Sequence, residues 1–424
     1  MASKNKTYPD IQLTIDKLVN GGQGMGSLDD GSKAFVWNAL PGERVTASIT
    51  KKRAGIIEAI ATEVLEVSPE RIKPADEAYM STSPWQVMTW EAENRHKQAI
   101  LADTFQRLGI TAGDIKFTHN EQQWHYRNKM EYSFWGNDEG LHLALFERGS
   151  HGKQIITGSS LARPEIDMAA NKILQVLRTA NTRAGVLKAI TVRCDQDGRT
   201  VAALFVKNQR FPKLAGLEET CHGITVYYSN PNSPANVMTR QLYTFGEVTL
   251  TDRIAGHDIS YDVHSFFQVN LPLFADAVAR ITRVSAALSS KIDLYSGVGT
   301  IGIAAGAGAL VEIDSNNIHY ATQNIARAGG QVELIHASTE TSLASIEGVD
   351  SVIVDPPRAG LHKAVLAKLL AETPRQVVYL SCNPVTLMRD LGGLAPTYAI
   401  ESLEGYNFFP RTPHIEALAV LKKV

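Results

Sequence analysis

Cysteine is scarce in this chain: Cys194, Cys221 and Cys382 are the full set, too few for a disulfide framework or a thiolate zinc site. Cys382 stands in the run Tyr379-Leu380-Ser381-Cys382-Asn383-Pro384. Gln376-Val377-Val378-Tyr379-Leu380 reads as a buried strand, and Asn383 followed by Pro384 reads as the cap and first position of a helix. A thiol between a strand end and a helix N-terminus feels the positive end of the helix dipole, which favours the thiolate. That is the setting of a nucleophile, although a small apolar cysteine packed at a strand end has the same local sequence. Near the end of the chain, Phe409-Pro410-Arg411-Thr412-Pro413-His414-Ile415-Glu416 leads into the apolar run Ala417 to Leu421. A carboxylate at the lip of a buried strand is desolvated, which raises its pKa toward that of a general base, so Glu416 is the candidate base. His414 beside it reads as a hydrogen-bonded structural histidine.

Three further runs look like binding elements. Asp293-Leu294-Tyr295-Ser296-Gly297-Val298-Gly299-Thr300-Ile301-Gly302 passes from a strand through a glycine loop into a helix. Gly297, Gly299 and Gly302 satisfy G-x-G-x-x-G, but a nicotinamide fingerprint wants its acid about 20 residues on, and Glu312 comes sooner while Asp293 precedes the loop. Close backbone approach, one carboxylate for an ammonium group and one for ribose hydroxyls suit S-adenosylmethionine instead. Asp355-Pro356-Pro357-Arg358 follows the strand Val352-Ile353-Val354, where a side chain reaches both cofactor and target base. Methyltransferases acting on amino groups carry an aromatic residue after the two prolines; Arg358 in that place speaks against chemistry on an exocyclic amine. Phe266-Phe267-Gln268-Val269-Asn270 puts an amide among aromatics. An amide donates and accepts at once, as a uracil edge or a cofactor requires, though core aromatics flanking a surface glutamine read the same way.

The elements that must carry these residues fall into three regions. A chain of 424 residues should hold two or three domains. Residues 1–68 contain short strands (Leu13 to Asp16, Ala34 to Trp37, Val45 to Ile49) between glycine turns, the pattern of a small β-barrel. Lys51, Lys52 and Arg53 form a basic turn there, usable on phosphates or simply a solvated hairpin tip. Pro69 to Pro74 reads as a linker. Residues 69–260 read as a central α+β domain, with a helix over Thr89–Leu108 stopped by Gly109 and 89–120 packing on the catalytic domain; another helix is expected near 165–179. In residues 261–424, strands at Lys291–Leu294, Ala309–Ile313, Ser351–Val354 and Gln376–Leu380 alternate with helices. That is a doubly wound, Rossmann-like α/β domain, whose ligands bind outside the carboxyl ends of the strands. No run of about 18 apolar residues is present, so no membrane helix is expected. Met1 to Lys6 lacks the apolar core of a signal peptide, and with so few cysteines a cytoplasmic protein is expected. The formal net charge of −2 gives no global attraction to nucleic acid, so RNA binding must use local basic patches; Arg127 and Lys129 join the basic turn as candidates.

Taken together and in this order, these motifs resemble those of the uracil-5 RNA methyltransferase family, over nearly the whole chain. The N-terminal part resembles a TRAM domain, an RNA-binding barrel whose pattern includes Leu40-Pro41-Gly42-Glu43. The resemblance implies a class I methyltransferase domain, S-adenosylmethionine as cofactor, Cys382 as nucleophile and Glu416 as the base that removes the carbon 5 proton. It puts Gln268, Tyr295, Gly297, Gly299, Thr300, Glu312 and Asp355 on cofactor positions, and Phe267, Gln268, Asp355 and Arg358 on the substrate. The implied partner is RNA, 23S ribosomal RNA first and transfer RNA as the alternative, acted on by a monomer. Many ribosomal-RNA members hold an iron–sulfur cluster through Cys-x5-Cys-x2-Cys plus a fourth cysteine; here Ala75, Ser81, Pro84 and Ser159 or Ser160 stand at the corresponding places. None ligates iron as a thiolate does, so no cluster and no metal are expected, with packing through Trp85 and Trp90 in its stead. Two other classes remain: a nicotinamide oxidoreductase, resting on the glycine pattern alone, and a non-catalytic RNA-binding assembly protein.

Overall fold

The computed structural model describes residues 8–110, 112–150, 152–233 and 235–424; the opening run Met1 to Lys6 lies outside them. An eight-stranded sheet dominates the last third of the chain. Its order is Glu333–His336, Ala309–Glu312, Lys291–Leu294, Ser351–Val354, Gln376–Ser381, Glu416–Lys423, Tyr398–Tyr406 and Lys116–Thr118. The first five strands are parallel, and Glu416–Lys423 runs antiparallel between Gln376–Ser381 and Tyr398–Tyr406. Ser351–Val354 and Gln376–Ser381 are buried at every residue, as strands covered on both faces must be. Strand order reverses between Lys291–Leu294 and Ser351–Val354, the kind of switch point at which doubly wound sheets open a crevice.

The other units have their own cores. A six-stranded N-terminal sheet encloses Leu13, Ala34, Val36, Val45 and Ile57. A seven-stranded central sheet packs Tyr132, Phe134, Leu143 and Ile190 against the helix Pro164–Thr179. The hairpin Leu250–Ile254 and His257–Tyr261 packs against both that central sheet and the catalytic unit. Ser260 exchanges hydrogen bonds with Asn324 of the helix Ser315–Ala328 (2.7 and 3.0 Å). The catalytic unit also recruits an earlier stretch. The helix Trp90–Phe105 starts at Thr89, whose side chain accepts from the Ala92 N–H, and gives way through a 3-10 turn to Gly109 at φ 77°. It then feeds Lys116–Thr118 into the catalytic sheet beside Tyr398–Tyr406.

The segment expected as a linker is tied down. Arg71 grips the buried Glu43 with two bonds (2.6 and 2.8 Å), and Glu43 also accepts from the Leu40 N–H. The cluster-equivalent positions are held by hydrogen bonds as well as by packing. Gln86 accepts from the Ala75 and Asp76 N–H groups and donates to Asp76 and Ser83, while Ser160 donates to Asp76 through its backbone and hydroxyl. Trp85 is buried and donates to the Gly22 carbonyl of the barrel (2.9 Å). Among the described residues, no group of three or more His, Cys, Asp or Glu side chains could hold a metal ion.

The helix Trp90–Phe105 buries two charges on its inner face. Lys97 and Glu93 are fully buried and 2.9 Å apart. Lys97 also donates to the Asn407 side chain and the Phe409 carbonyl (2.6 and 3.0 Å), and Glu93 accepts from the Arg411 N–H. The pair thereby fastens the turn that leads to Glu416. Removing one partner of a buried pair leaves an uncompensated charge and costs about 3–5 kcal/mol. Lys97→Met should therefore lower the urea midpoint by an equivalent amount; a loss below about 1 kcal/mol would show the turn to be held by packing alone.

Candidate active site

Cys382 leaves the end of the strand Gln376–Ser381, and Asn383 caps the helix Pro384–Leu394 by accepting from the Val385 N–H. This is the strand–cap–helix arrangement expected from the sequence. The neighbouring strand Glu416–Lys423 is antiparallel and pairs Ala417 with Ser381, so the chain direction alone brings Glu416 beside Cys382. The Asp355–Arg358 loop closes the third side. The Arg358 carbonyl accepts from Asn383 Nδ2 and Thr386 Oγ1 (2.8 and 3.2 Å), while the buried Asp390 accepts from the Leu361 N–H and the Tyr379 hydroxyl (2.8 Å each).

The electrostatics of the trio are unusual. Glu416 is fully buried, and neither carboxyl oxygen has a hydrogen-bond partner. Burial, then the Asp355 charge, push its pKa far above the ordinary carboxylate range, against the pull of Arg358. Asp355 is raised to about 7 by burial, opposed by a hydrogen bond from Gln268. Two interacting acids of this kind hold a proton between them near neutrality. Cys382 is half-buried and its thiol is pushed up to about 11 by burial, then by Glu416 and Asp355, while Arg358 opposes with its charge and a hydrogen bond. The expectation of a favoured thiolate is thus reversed in the substrate-free site: two nearby carboxyls and burial outweigh the helix end. His414 lies at the exposed mouth, where its Nδ1 accepts from Arg358 (2.7 Å); burial and surrounding cations lower it to about 4, so it is neutral.

Across the switch point lies a cleft bordered by Phe266, Phe267, Gln268, Asp293, Tyr295, Gly297 and Asp355. Gly297 and Gly299 adopt φ 56° and 89°, and Tyr295 takes φ 61°, a strained conformation for a residue with a side chain. Glu312 Oε2 accepts from the Gly297 N–H, and Oε1 from the Ile313 and Asp314 N–H groups. One lone pair on Oε2 therefore remains for a hydroxyl donor. Asp293 is buried; its Oδ2 accepts from the Gly302 N–H, while Oδ1 has no partner. An orphaned carboxyl oxygen at the cleft wall fits an ammonium donor, so these residues fit the amino acid and ribose ends of S-adenosylmethionine. Thr300 opens the short helix that follows, Thr300–Ala305.

Of the two adjacent aromatics in this loop, Phe267 is buried and stacked on Tyr261, with ring centroids 4.1 Å apart, and borders the cleft. Phe266 is the aromatic left open, at 62% exposure. Lys51, Lys52 and Arg53 are exposed, although Lys51 pairs with Glu58; they lie on the barrel hairpin, outside the Cys382 cluster.

Sequence reasoning passed over the residues that hold the Gln268 loop. Arg193, buried in the central sheet, donates to the Asp262, Ser265 and Phe267 carbonyls. Asn128 donates to the Gln268 and Val269 carbonyls through its side chain and backbone (3.1 and 3.2 Å). A charged residue inside the otherwise apolar strand Leu187–Cys194 was the available signal.

The reversed sheet order, the terminal antiparallel strand and the acid-flanked glycine loop define a methyltransferase of the S-adenosylmethionine-dependent fold. The C-terminal part of the chain is similar to the uracil-5 RNA methyltransferases. Residues 246–424 match the family described as tRNA (Uracil-5-)-methyltransferase. Similar proteins include an uncharacterized RNA methyltransferase of Thermotoga maritima, 26% identical over 97% of this chain and 99% of that protein. Another, from Listeria innocua, is 29% identical over 99% of both. The crystal structure of the Pyrococcus abyssi tRNA (uracil-54, C5)-methyltransferase, in complex with S-adenosyl-L-homocysteine, has the same fold. It covers 97% of this chain and 99% of its own, with a TM-score of 0.78 and 23% identity.

A carboxyl whose pKa is higher folded than unfolded makes the protein less stable as pH rises between the two values. For Asp355 the penalty is absent below about 4, grows up to about 7 and is complete above it. Asp355→Asn should therefore gain thermal stability over the parent at pH 8 and little at pH 4; an equal shift at both would refute the ionisation account. Peptide mapping should show Cys382 alkylated slowly by iodoacetamide at pH 8, its rate climbing toward pH 11; a rate matching free cysteine at pH 8 would contradict the raised thiol.

Proposed function

We propose that this protein methylates carbon 5 of a uridine in RNA through a transient covalent bond from Cys382 to carbon 6, with S-adenosylmethionine as the donor. The observation that supports this best is a half-buried thiol facing a fully buried, unpartnered carboxyl at the ends of two paired strands, beside the glycine-loop cleft. When bound, S-adenosylmethionine supplies an electrophilic methyl group on a sulfonium centre; Asp293, Tyr295, Gly297, Gly299, Thr300 and Glu312 would hold it.

Carbon 5 of uracil is too electron-poor to attack such a methyl group unaided. Addition of the Cys382 sulfur at carbon 6 turns carbon 5 into an enolate carbon that can. Arg358, whose charge acts on the thiol, stabilises the sulfur as it gains charge, and the thiol proton passes to solvent at the mouth, so that the carboxyl pair keeps one vacancy for the later step. Gln268 and Asp355, side by side at the cleft, present a donor and acceptor for the uracil edge, while the open ring of Phe266 borders the mouth. Once carbon 5 carries the methyl group, Glu416 in its ionised form removes the remaining proton and Cys382 is expelled. A buried carboxylate suits this step because its raised pKa makes it a stronger base. The uridine must leave its stack to enter, at a cost of a few kcal/mol.

Large-subunit ribosomal RNA is the first substrate proposed, on the strength of the N-terminal barrel. Transfer RNA is a real second reading, because the Pyrococcus tRNA enzyme aligns over 97% of this chain, barrel included. Incubation with tritiated-methyl S-adenosylmethionine and unmodified transcripts of both RNAs should place label in 5-methyluridine of one of them. Cys382→Ala should abolish it, by at least the roughly thousandfold typical of a lost nucleophile. Glu416→Gln should still add and methylate but fail to eliminate, leaving an RNA–protein adduct on a denaturing gel. Label that survives in Cys382→Ala would end the covalent mechanism, and RNA binding without label would favour the assembly-protein reading.

A further inference from the structure

The central sheet has an open face that leads away from the active-site mouth. In the strand Lys129–Asn137, the residues Met130, Tyr132 and Phe134 point into the central core, so Trp135 points the other way. Register puts Ser133 opposite Ala144 and Trp135 opposite His142 on the strand Gly140–Phe146, then Ile155 opposite Ala144 and Lys153 opposite Phe146 on the edge strand Lys153–Ile156. Directly opposed residues share a face. Trp135, Phe146 and Ile155 therefore stand together around Ala144, at 45%, 61% and 40% exposure. The Lys153 ammonium lies 4.8 Å from the centre of the Phe146 ring, an attractive cation–aromatic contact.

This face is continuous with the site. Its strand begins at Lys129, just after Asn128, which is bonded to the Gln268 loop. The return strand ends at Phe146, and two residues on Arg148 lies with its guanidinium 4.1 Å from the centre of the Trp37 ring of the barrel. Gly149 sits against Ile60 and Thr50 of the barrel hairpin. Arg127, Arg148 and Arg358 all act on His414 at the mouth, so cations from the central and catalytic units converge where a uridine would enter. Two acids border the path among the described residues: Glu131 accepts from Thr191 (3.4 Å) and lies beside Lys129, and Glu147, between Phe146 and Arg148, accepts from the Ser150 hydroxyl (2.8 Å). By the strand rise of about 3.4 Å per residue, Phe146 and Trp135 are roughly 14 Å apart along the path.

We propose that this face is a stacking track for single-stranded RNA flanking the target uridine, with bases on Phe146 and Trp135 and phosphates near Lys153 and Arg148. Exposed aromatics on a sheet, interleaved with cations, are what sequence-tolerant single-strand binding requires: every base has a face to stack, and the backbone needs only positive charge. An apolar protein partner would cover the rings but leave the cations unexplained. The assignment rests on the RNA uridine reading, and two separate measurements keep the two apart.

The first is fluorescence anisotropy of a labelled single-stranded oligouridine on the full chain; the second is methyl transfer to unmodified ribosomal and transfer RNA. Because both rings are exposed, Trp135→Ala with Phe146→Ala should leave the thermal midpoint unchanged. It should weaken oligouridine binding roughly ten- to hundredfold, and raise the KM for whichever RNA is methylated while kcat stays within about twofold. Met168→Ala, on an exposed helix position, should change neither. Unchanged anisotropy in the double variant overturns the track, whether or not sedimentation reveals a dimer or other complex lost with the rings. A parent protein that binds oligouridine through these rings but transfers no methyl group would uphold the track and sink the reaction.

Discussion

The structure is organised around keeping a carboxyl group in a place where water cannot reach it and nothing bonds to it. Glu416 is fully buried with both oxygens unpartnered, a state that an ionised carboxylate could occupy only at a cost of several kcal/mol. The group stays neutral until something with a proton to lose is brought against it. Its surroundings maintain that condition: Asp355 repels its charge, while Arg358 limits the shift and pairs with the neutral His414. The same environment holds Cys382 as a thiol. A cysteine that rests as a thiol is protected from stray alkylation, and the arriving base must itself create the conditions for chemistry.

Such a site needs rigid walls, and these come from segments far apart in the chain. The Gln268 loop is held by Arg193 and Asn128 of the central unit through backbone carbonyls. The turn before Glu416 is held by Lys97 and Glu93 on a helix that precedes the catalytic domain by well over a hundred residues. Bonds to backbone fix position without occupying the side chains that do the work. They also connect the surfaces where RNA is proposed to bind with the cleft where the cofactor is proposed to lie, through single hydrogen-bond steps.

The segment after the barrel is fastened by hydrogen bonds as well as by packing. Gln86 and Asp76 gather the N–H groups of Ala75, Asp76 and Ser160 into one knot, and Arg71 locks the same segment to Glu43. These side chains are polar and scattered, and their convergence carries no sequence signature. Trp85 and Trp90 were visible as packing residues, and even the Trp85 indole is committed to the barrel through Gly22.

Much of the fold was legible because local rules agree there. Val, Ile and Leu runs bounded by glycine loops specify buried parallel strands, and Asn383-Pro384 and Thr89 specify helix starts that the structure has. Cys382, Glu416 and Asp355 could be named because each sits at a strand terminus, and strand termini at a switch point face one crevice. Tertiary structure alone decided the rest. Whether Phe266 or Phe267 faces solvent depends on which ring Tyr261 stacks upon, and the two are adjacent in an irregular loop without periodicity. The direction of the Cys382 shift required knowing that two carboxyls from other strands lie beside it, since a local helix end is weaker than burial next to like charge. The hairpin of Leu250–Ile254 and His257–Tyr261 packs against both the central sheet and the catalytic unit, and hairpin residues carry no mark of the sheet or helix they will pack against. Sequence records what each segment prefers; only the fold determines which segments share a dielectric environment, and that sets the chemistry.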